Sequence, residues 1–166
     1  LNPEAIAFGL GRGLNLINSP LEEAGFTEAS FDAISLFDVI EHVPDPLGTL
    51  RMALGLLKPG GVLYIYVPNY DSASRLLQGA DAQFIWPTHH LNYYTPATVS
   101  DLFRREGLTV ENIVTEGLDI QDYIWFREEM KGEDCSALQG IAEQLQFFIN
   151  AGAYGKNLRV LGRKQG

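Results

Sequence analysis

Residues 31–69 constrain the fold of this chain most strongly, because they have the pattern strand, helix, strand. Phe31 to Phe37 is a short apolar run with little alternation, which is typical of a strand covered by helices on both faces. Val62 to Val67 is a second run, rich in β-branched and aromatic residues. Two strands joined through a helix are expected to be parallel, with a right-handed crossover. The segment therefore predicts part of a parallel α/β sheet.

The residues between the two strands carry the start and stop signals of a helix. Asp45 is placed to cap the N-terminus, and Pro46 suits the first turn, where its missing N–H costs nothing. The run KPGG at 58–61 ends the helix, since proline cannot continue it and glycine is free to turn. Leucines at intervals of three and four predict one apolar stripe that lies on the sheet. The stripe consists of Leu47, Leu50, Leu54 and Leu57.

Three ionisable residues, Asp38, Glu41 and His42, follow the first strand. In open α/β sheets, ligands bind outside the carboxyl ends of the strands. The second strand ends at residues 68–70, so its end is expected to lie beside the first polar group. This pattern predicts that the functional site lies at these two strand ends.

Five short sequences occur in order along the chain: FDAI, EHVPDP, LLKPGGVLYIYVPN, HLNYYTP and LFRREGL. With them the chain resembles class I S-adenosylmethionine-dependent methyltransferases, especially the group related to ubiquinone-biosynthesis O-methyltransferases, over about residues 2–116. The resemblance implies a Rossmann-like α/β fold and a single methyltransferase-like domain over residues 1–166. It also implies methyl transfer from S-adenosylmethionine to an oxygen, nitrogen or carbon nucleophile of a small-molecule acceptor.

The resemblance also implies that the N-terminal part of the fold is missing. Family members begin with a strand, a glycine-rich turn that receives the methionine end of the cofactor, a helix, and a second strand ending in an acid. Residues 1–5 look like the segment that follows this acid. Residues 9–13 have the spacing G-x-G-x-G, but a working glycine loop follows a buried strand and opens a helix. We therefore expect an N-terminally truncated fold, with a helix from Pro3 that ends in these glycines and a strand at residues 14–17.

Truncation would leave the strand at residues 31–37 with an unpaired apolar edge, and such edges recruit another strand. We expect residues 14–17 or a second chain to cover this edge. A homodimer is therefore possible, either through this edge or through a helical insert at residues 119–150. Methyl transfer is expected to be impaired in such a chain. The alternative function is a non-catalytic methyltransferase-like domain that binds a partner.

The second half of the chain predicts a lid and an insert around the same sheet. Residues 79–94 are rich in aromatic side chains and resemble a substrate lid. A helix capped by Thr95 and a strand from Leu108 to Thr115 follow. Residues 119–150 are expected to form two helices, as an insert that covers the site or makes a subunit interface. Residues 157–163 are expected to form a last strand, which the resemblance places antiparallel at the edge of the sheet.

Histidines are the candidate bases, because imidazole has the unperturbed pKa nearest neutrality. His42 follows the first strand, and its competing interpretation is a structural residue that hydrogen-bonds the loop. His90 resembles the family's histidine before a helix start, with His89 as the alternative equivalent. The predicted catalytic residues are His90, His42 and Asp38.

The resemblance places residues 19–22 at the adenine end of the cofactor, where relatives commonly have an acid. Pro20 occupies the position of that acid, so either Glu22 or the backbone at Leu21 is expected to replace it. The end of the first strand should line the other side of the cofactor. For Leu36 and Phe37, packing in the core is the alternative. The predicted cofactor-binding residues are Pro20, Leu21, Glu22, Leu36, Phe37 and Asp38.

Asp38, Glu41 and His42 also resemble a cluster that binds a divalent cation. In ubiquinone-pathway and small-RNA 2′-O-methyltransferases, an acid-x-x-Glu-His cluster does so together with a distal histidine, for which His89 or His90 is available. Oxygen and imidazole ligands suit Mg²⁺ or Mn²⁺. Glu-His at this point equally resembles relatives in which no metal is implied. We therefore assign no metal ligand from the sequence and keep the cation as an alternative.

Charge and composition narrow the choice of partners. The net charge of −9 and the pI near 4.7 argue against a nucleic acid or an anionic membrane surface, because both would be repelled. No apolar run approaches the length of a membrane span. The single cysteine, Cys135, excludes an internal disulfide, so a reducing cytoplasm is the expected location.

Overall fold

The computed structural model describes residues 2–166, which contain one four-stranded sheet with the order β1-β2-β4-β3. Its strands are β1 (Phe31–Phe37), β2 (Leu57–Pro68), β3 (Leu108–Glu116) and β4 (Asn157–Lys164). The helices are α1 (Pro3–Gly11), α2 (Pro46–Leu56), α3 (Ala73–Gln78), α4 (Pro96–Arg105), α5 (Asp119–Lys131), α6 (Ser136–Gln139) and α7 (Ala142–Ala151).

Three of the four strands, β1, β2 and β3, run in one direction, and the last strand, β4, runs opposite to them, as predicted. β1 and β2 pair in parallel, with Phe37 opposite Tyr66 at their carboxyl ends. β4 is antiparallel to both of its neighbours, β2 and β3. The predicted edge position of β4 is wrong, because this strand lies inside the sheet. Both of its edges are paired, and its Leu158 and Val160 are fully buried.

The helix α2 begins and ends where its sequence signals place it. Asp45 caps it by accepting a hydrogen bond from the Gly48 backbone at 2.9 Å, and Pro46 occupies the first turn. β2 follows without a loop, so it begins five residues before the predicted Val62. Leu47 is exposed, and the stripe on the sheet is therefore narrower than predicted.

The main core lies between one face of the sheet and the helices α2 and α4. Alternate residues of the strands point into it, as the two-residue period of a strand requires. Its strand residues are Leu36, Leu57, Leu63, Ile65, Val67, Leu108, Leu158 and Val160, and its helix residues are Leu50, Ala53, Leu54, Val99 and Phe103.

The helix α4 packs closely on β4 through a glycine. Thr95 and Thr98 form a reciprocal capping box at its start. The ring of Phe103 lies over Gly162, where an added Cβ would be 2.5 Å from the ring. Only glycine leaves room for this aromatic side chain at the sheet.

The opposite face of the sheet is open, which corrects the prediction that β1 is covered on both faces. Ala33, Ser35 and Phe37 are exposed, while Leu36 between them is buried. Phe37 contacts Tyr64, with 5.4 Å between the ring centroids. The apolar run of β1 therefore reflects a core on one side and aromatic packing on the other.

The N-terminal glycines lie in and after a helix, as predicted. Asn2 caps α1, and Gly13 follows the helix with a φ of 79°. The predicted strand at residues 14–17 is wrong: the Leu14 backbone donates to the carbonyl of Gly9, which turns the segment back along α1. No strand within residues 2–166 pairs with the outer edge of β1. Coverage by a second chain stays a prediction.

The insert contains three helices instead of two. The predicted second helix is interrupted at Gly140, between α6 and α7. Ile120, Ile124 and Ala142 form a small core of their own, separate from the main one. Throughout residues 2–166, no helix has the length and apolar character that crossing a membrane requires.

The insert is anchored by the buried carboxylate of Asp119. One oxygen accepts from the Ser74 backbone at 3.0 Å, at the start of α3. The other accepts from the Lys156 backbone at 2.8 Å and from the Gln146 side chain at 3.1 Å. Asp119 thus joins α3, α5, α7 and the chain that leads into β4.

Candidate functional site

The candidate site begins at Asp38, where β1 ends. Asp38 has a φ of 49°, in the left-handed region that aspartate tolerates better than most residues. Its backbone N–H donates to the carbonyl of Tyr66 at 3.0 Å and so continues the pairing with β2 by one step. The chain then leaves the sheet in a loop of residues 39–43, which carries Glu41 and His42.

The aromatic segment predicted as a lid lies against this loop. The backbone N–H of Leu91 donates to the carbonyl of Glu41 at 2.7 Å. At the end of the segment, the Tyr70 backbone donates to the carbonyl of Tyr94 at 2.7 Å. Residues 89–94 therefore bridge the carboxyl ends of β1 and β2 and bring His90 to the polar loop.

His42 and His90 face each other, with 4.8 Å between their ring centroids. The Nδ1 atom of His42 lies 2.8 Å from the carbonyl oxygen of His89, and that of His90 lies 2.7 Å from the carbonyl oxygen of Phe84. A carbonyl oxygen can only accept, so each neutral ring carries its proton on Nδ1. Each ring therefore keeps a lone pair on Nε2, ready to accept a proton or bind a cation.

Glu41 is the buried acid of this site. Its side chain is 1% exposed, and neither carboxylate oxygen accepts a hydrogen bond. Burial raises the pKa of Glu41, and the nearby charge of Asp38 raises it further, while His42 acts in the opposite direction. An unpaired buried carboxylate is costly, which indicates that it is kept for a function.

Glu41, His42 and His90 fit a divalent cation. One potential ligand atom from each lies within 4.8 Å of the others. The buried oxygens of Glu41 lack a partner, and both imidazoles are oriented through carbonyl acceptors, as metal-binding histidines commonly are. Asp38, the first acid of the predicted cluster, is not part of this group.

The structure separates the two candidate distal histidines. His90 is half-buried and lies beside His42. The His89 ring is exposed and stacks on Trp86, with 3.8 Å between centroids, and its Nδ1 is bonded to the hydroxyl of Thr88. His90 is therefore the histidine that can act together with Glu41 and His42, whereas His89 contributes its backbone carbonyl.

The predicted cofactor residues lie in two places. Leu21 and Glu22 line a cavity of about 440 Å³ beside the second half of α2. Leu36 is buried in the main core, which is the alternative that the sequence left open, and Phe37 lies on the open face of the sheet. Pro20 is exposed.

Two residues of the site did not stand out in the sequence. Asn92 hydrogen-bonds the loop of residues 39–43, and its only sequence signal is its place in the HLNYYTP segment. Tyr94 is buried, and burial together with the charge of Glu41 raises its pKa to about 12. Its hydroxyl lies 3.4 Å from the carbonyl of Ile40.

A family model described as a methyltransferase domain matches residues 5–113 of this sequence. The chain belongs to this methyltransferase family. The matched region contains β1, β2 and the residues of the Glu41–His42–His90 cluster. The predicted family is thereby confirmed.

Curated relatives of this methyltransferase chain include ubiquinone biosynthesis O-methyltransferases. That of Xanthomonas axonopodis pv. citri is 36% identical over 98 residues, covering 55% of this chain and 39% of the relative. That of Xanthomonas euvesicatoria pv. vesicatoria is 34% identical over 90 residues, covering 51% and 38%. The chain therefore spans about two fifths of the length of these relatives.

Solved structures share the fold over nearly the whole chain. A SAM-dependent methyltransferase of Thermotoga maritima has a TM-score of 0.65 at 16% identity, covering 98% of this chain and 70% of its own. A SAM-dependent methyltransferase of Archaeoglobus fulgidus has a TM-score of 0.63 at 20% identity, covering 98% and 73%. This confirms the predicted Rossmann-like methyltransferase fold.

Proposed function

We propose that this chain transfers a methyl group from S-adenosylmethionine to a hydroxyl group of a small aromatic acceptor. The observation that carries the proposal is the cluster of Glu41, His42 and His90, with two free imidazole nitrogens beside a buried, unpaired carboxylate. The cluster lies at the carboxyl ends of β1 and β2, the edge where α/β sheets bind ligands. The name of the O-methyltransferase relatives supports oxygen as the nucleophile.

The chemistry requires an accurate position and a proton acceptor. The acceptor oxygen attacks the methyl carbon in line with the sulfonium, a carbon–oxygen bond forms, and the carbon–sulfur bond breaks to release S-adenosylhomocysteine. Such a displacement is fast when the reacting atoms are held about 3–3.5 Å apart. The hydroxyl proton passes to Nε2 of His42 or His90, whose Nδ1 protons are already committed to carbonyl oxygens.

The side chains near the cluster support a flat acceptor. Tyr93 lies 6.4 Å from the ring of His90, and Tyr70 lies 5.3 Å from Tyr93, measured between ring centroids. The hydroxyl of Tyr93 is buried without a hydrogen-bond partner. Aromatic walls bind flat rings, and an unpaired hydroxyl offers them a polar contact.

A divalent cation is a second candidate occupant of the same cluster, favoured by the unpaired oxygens of Glu41. Glu41, His42 and His90 would hold it. When bound, Mg²⁺ or Mn²⁺ would lower the pKa of an acceptor hydroxyl as a Lewis acid. Glu41 then serves as the charged ligand, and the two imidazoles fix the position of the ion.

Other residues predicted from the sequence are proposed to contact the cofactor or the acceptor. Asp38 is exposed, follows the end of β1 and is proposed to contact the cofactor or acceptor. The adenine contact of Leu21 and Glu22 stays a prediction from the resemblance, because the 440 Å³ cavity that they line lies at the start of β1, the end opposite to Asp38 and the cluster, and does not support it. The chain is proposed to form one domain, and its insert, residues 119–150, either covers the site or forms a subunit interface.

The proposal is tested with S-adenosylmethionine tritiated in its methyl group and catechol as the acceptor. Transfer of label to catechol, lost on His42→Ala together with His90→Ala, supports the proposal. Binding of S-adenosylhomocysteine in calorimetry without any transfer to catechol, phenol or amine acceptors favours the non-catalytic binding domain. Failure to bind S-adenosylhomocysteine and to transfer label contradicts methyl transfer by this chain and leaves the non-catalytic domain that binds a partner.

A further inference from the structure

We propose that Asn92 is the positioning residue of this site: its side-chain amide fixes the loop that carries Glu41 and His42 against the segment that carries His90. The inference rests on the proposed function for its catalytic consequence. Its structural part concerns contacts that exist whether or not the chain transfers methyl groups.

The amide nitrogen of Asn92 makes two hydrogen bonds to the loop. It donates to the carbonyl of Ile40 at 3.0 Å and to the carbonyl of Val43 at 2.8 Å. These two carbonyls stand immediately before Glu41 and immediately after His42. One side-chain nitrogen therefore spans both ends of the functional pair, which a hydroxyl with its single donor could not do.

The backbone completes this contact. The N–H groups of Leu91 and Asn92 donate to the carbonyl of Glu41, at 2.7 and 3.1 Å. The carbonyls of residues 40, 41 and 43 thus all accept hydrogen bonds from residues 91 and 92. The loop belongs to neither a helix nor a strand, so these bonds replace the regular pairing that would otherwise hold it.

The ring of His42 depends on the same contact. Its Nδ1–H donates to the carbonyl of His89, which lies on the segment that Asn92 ties down. The ring of His90 is held differently, by the carbonyl of Phe84 in the preceding turn. Loosening the segment from the loop should therefore free the His42 ring while leaving the His90 ring in place.

The chain offers a direct readout, because it has three histidines and two of them form the site. Long-range nitrogen–proton NMR spectra of histidine labelled with ¹⁵N show which ring nitrogen carries the proton. In the unchanged protein, we expect both His42 and His90 to be protonated on Nδ1 when neutral. In Asn92→Leu, which keeps the size of the side chain, we expect His42 to move towards the Nε2-protonated form and His90 to stay unchanged.

The variant Gln146→Ala is the matched control, since it also removes a buried amide, but in the insert, where that amide bonds Asp119 and the Ile120 backbone. It should lower thermal stability without changing either histidine. If Asn92→Leu does not fold, Asn92→Ser keeps one donor and should give a partial change at His42. A variant at position 92 that melts earlier but leaves the His42 tautomer intact would overturn the inference and make Asn92 a stabilising residue only.

The kinetic consequence separates this inference from the proposed function. With catechol and S-adenosylmethionine, Asn92→Leu should lower kcat about 10–100-fold through misplacement of the reacting groups, with a small change in KM for S-adenosylmethionine. If neither the His42 nor the His90 variants affect transfer, the proposed function fails, yet the tautomer measurement still decides the role of Asn92. If His42→Ala lowers kcat but Asn92→Leu changes the tautomer without lowering kcat, the positioning role is overturned.

Discussion

The Nε2 atom of His42 lies 3.7 Å from Oε1 of Glu41, a carboxylate that is almost fully buried and accepts no hydrogen bond. A buried charge without hydrogen bonds lowers stability unless a partner neutralises it. Neutral His42 presents a lone pair to the carboxylate, and only a proton or a cation between the two groups turns this contact into an attraction. The pair is therefore arranged to receive a positive charge, either the acceptor's proton or a metal ion.

Replacing Glu41 by Gln should stabilise the protein at neutral pH and reduce its activity. Because burial raises the pKa of Glu41 above its ordinary value of 4.5, the folded state is most stable with the acid protonated and loses stability as the pH rises through the raised pKa. Glu41→Gln removes this dependence, so its melting temperature at pH 7 should exceed that of the unchanged protein by about 2–6 °C. Thermal melts between pH 4.5 and pH 8 check the prediction.

Two further measurements make the Glu41 prediction specific. Asp101→Asn, an exposed acid paired with Arg104 within α4, should leave the melting temperature nearly unchanged, since surface pairs contribute little. Glu41→Gln should also lose most of the methyl transfer. A lower melting temperature for Glu41→Gln at pH 7 would show that the ionised carboxylate stabilises the fold.

The sequence predicted local elements better than long-range pairing. Asp45 and Pro46 define the start of α2 through local signals, and the structure begins the helix at Pro46. Asp38, Glu41 and His42 were also recognised from a local signal, because they follow directly after the apolar run of β1. The choice between His89 and His90 was not evident, because it depends on which ring the turn at Trp86 directs towards His42.

The errors have a common physical cause. Residues 14–17 are apolar enough for a strand, but whether they form one depends on a partner edge that lies far away in sequence. The edge position assigned to β4 was wrong for the same reason, since strand order is set by pairing and not by local pattern. The break at Gly140 separates α6 from α7, and Leu138 before it and Ala142 after it both pack in the small core of the insert.

Gly162→Ala should destabilise the fold. Its Cβ would lie 2.5 Å from the ring of Phe103, so either the ring or β4 must move, at a cost of about 1–3 kcal/mol. Gly55→Ala, in α2 with no atom near the added Cβ, should instead stabilise the helix by about 0.5–1 kcal/mol. Urea unfolding of both variants measures the difference, and equal effects of the two substitutions would contradict this account of the α4–β4 contact.

Asp119→Ala should loosen the insert more than the sheet. It removes the acceptor of the Ser74 and Lys156 backbone N–H groups and leaves them buried without partners, at a cost of about 2–3 kcal/mol. Hydrogen exchange should quicken in α3, α5 and α7 and change little in β2, which lies in the main core. Uniform acceleration in all elements would show that Asp119 does not define a separate unit.

A cation in the cluster would be visible with Mn²⁺ as the probe. Electron paramagnetic resonance should show bound Mn²⁺ in the unchanged protein and at least a tenfold weaker affinity in His90→Ala, which removes one of three ligands. His89→Ala is the control and should bind Mn²⁺ normally, because its ring lies against Trp86. Binding that is equal in all three proteins would place the ion elsewhere.

Methyl transfer by His90→Ala, compared with His89→Ala, tests the central claim most directly. The two residues are neighbours in sequence, but only the ring of His90 faces His42 and Glu41. With tritiated S-adenosylmethionine and catechol, kcat should fall about 100–10,000-fold in His90→Ala and stay within about threefold in His89→Ala. Loss of transfer in His89→Ala with normal transfer in His90→Ala would contradict the account.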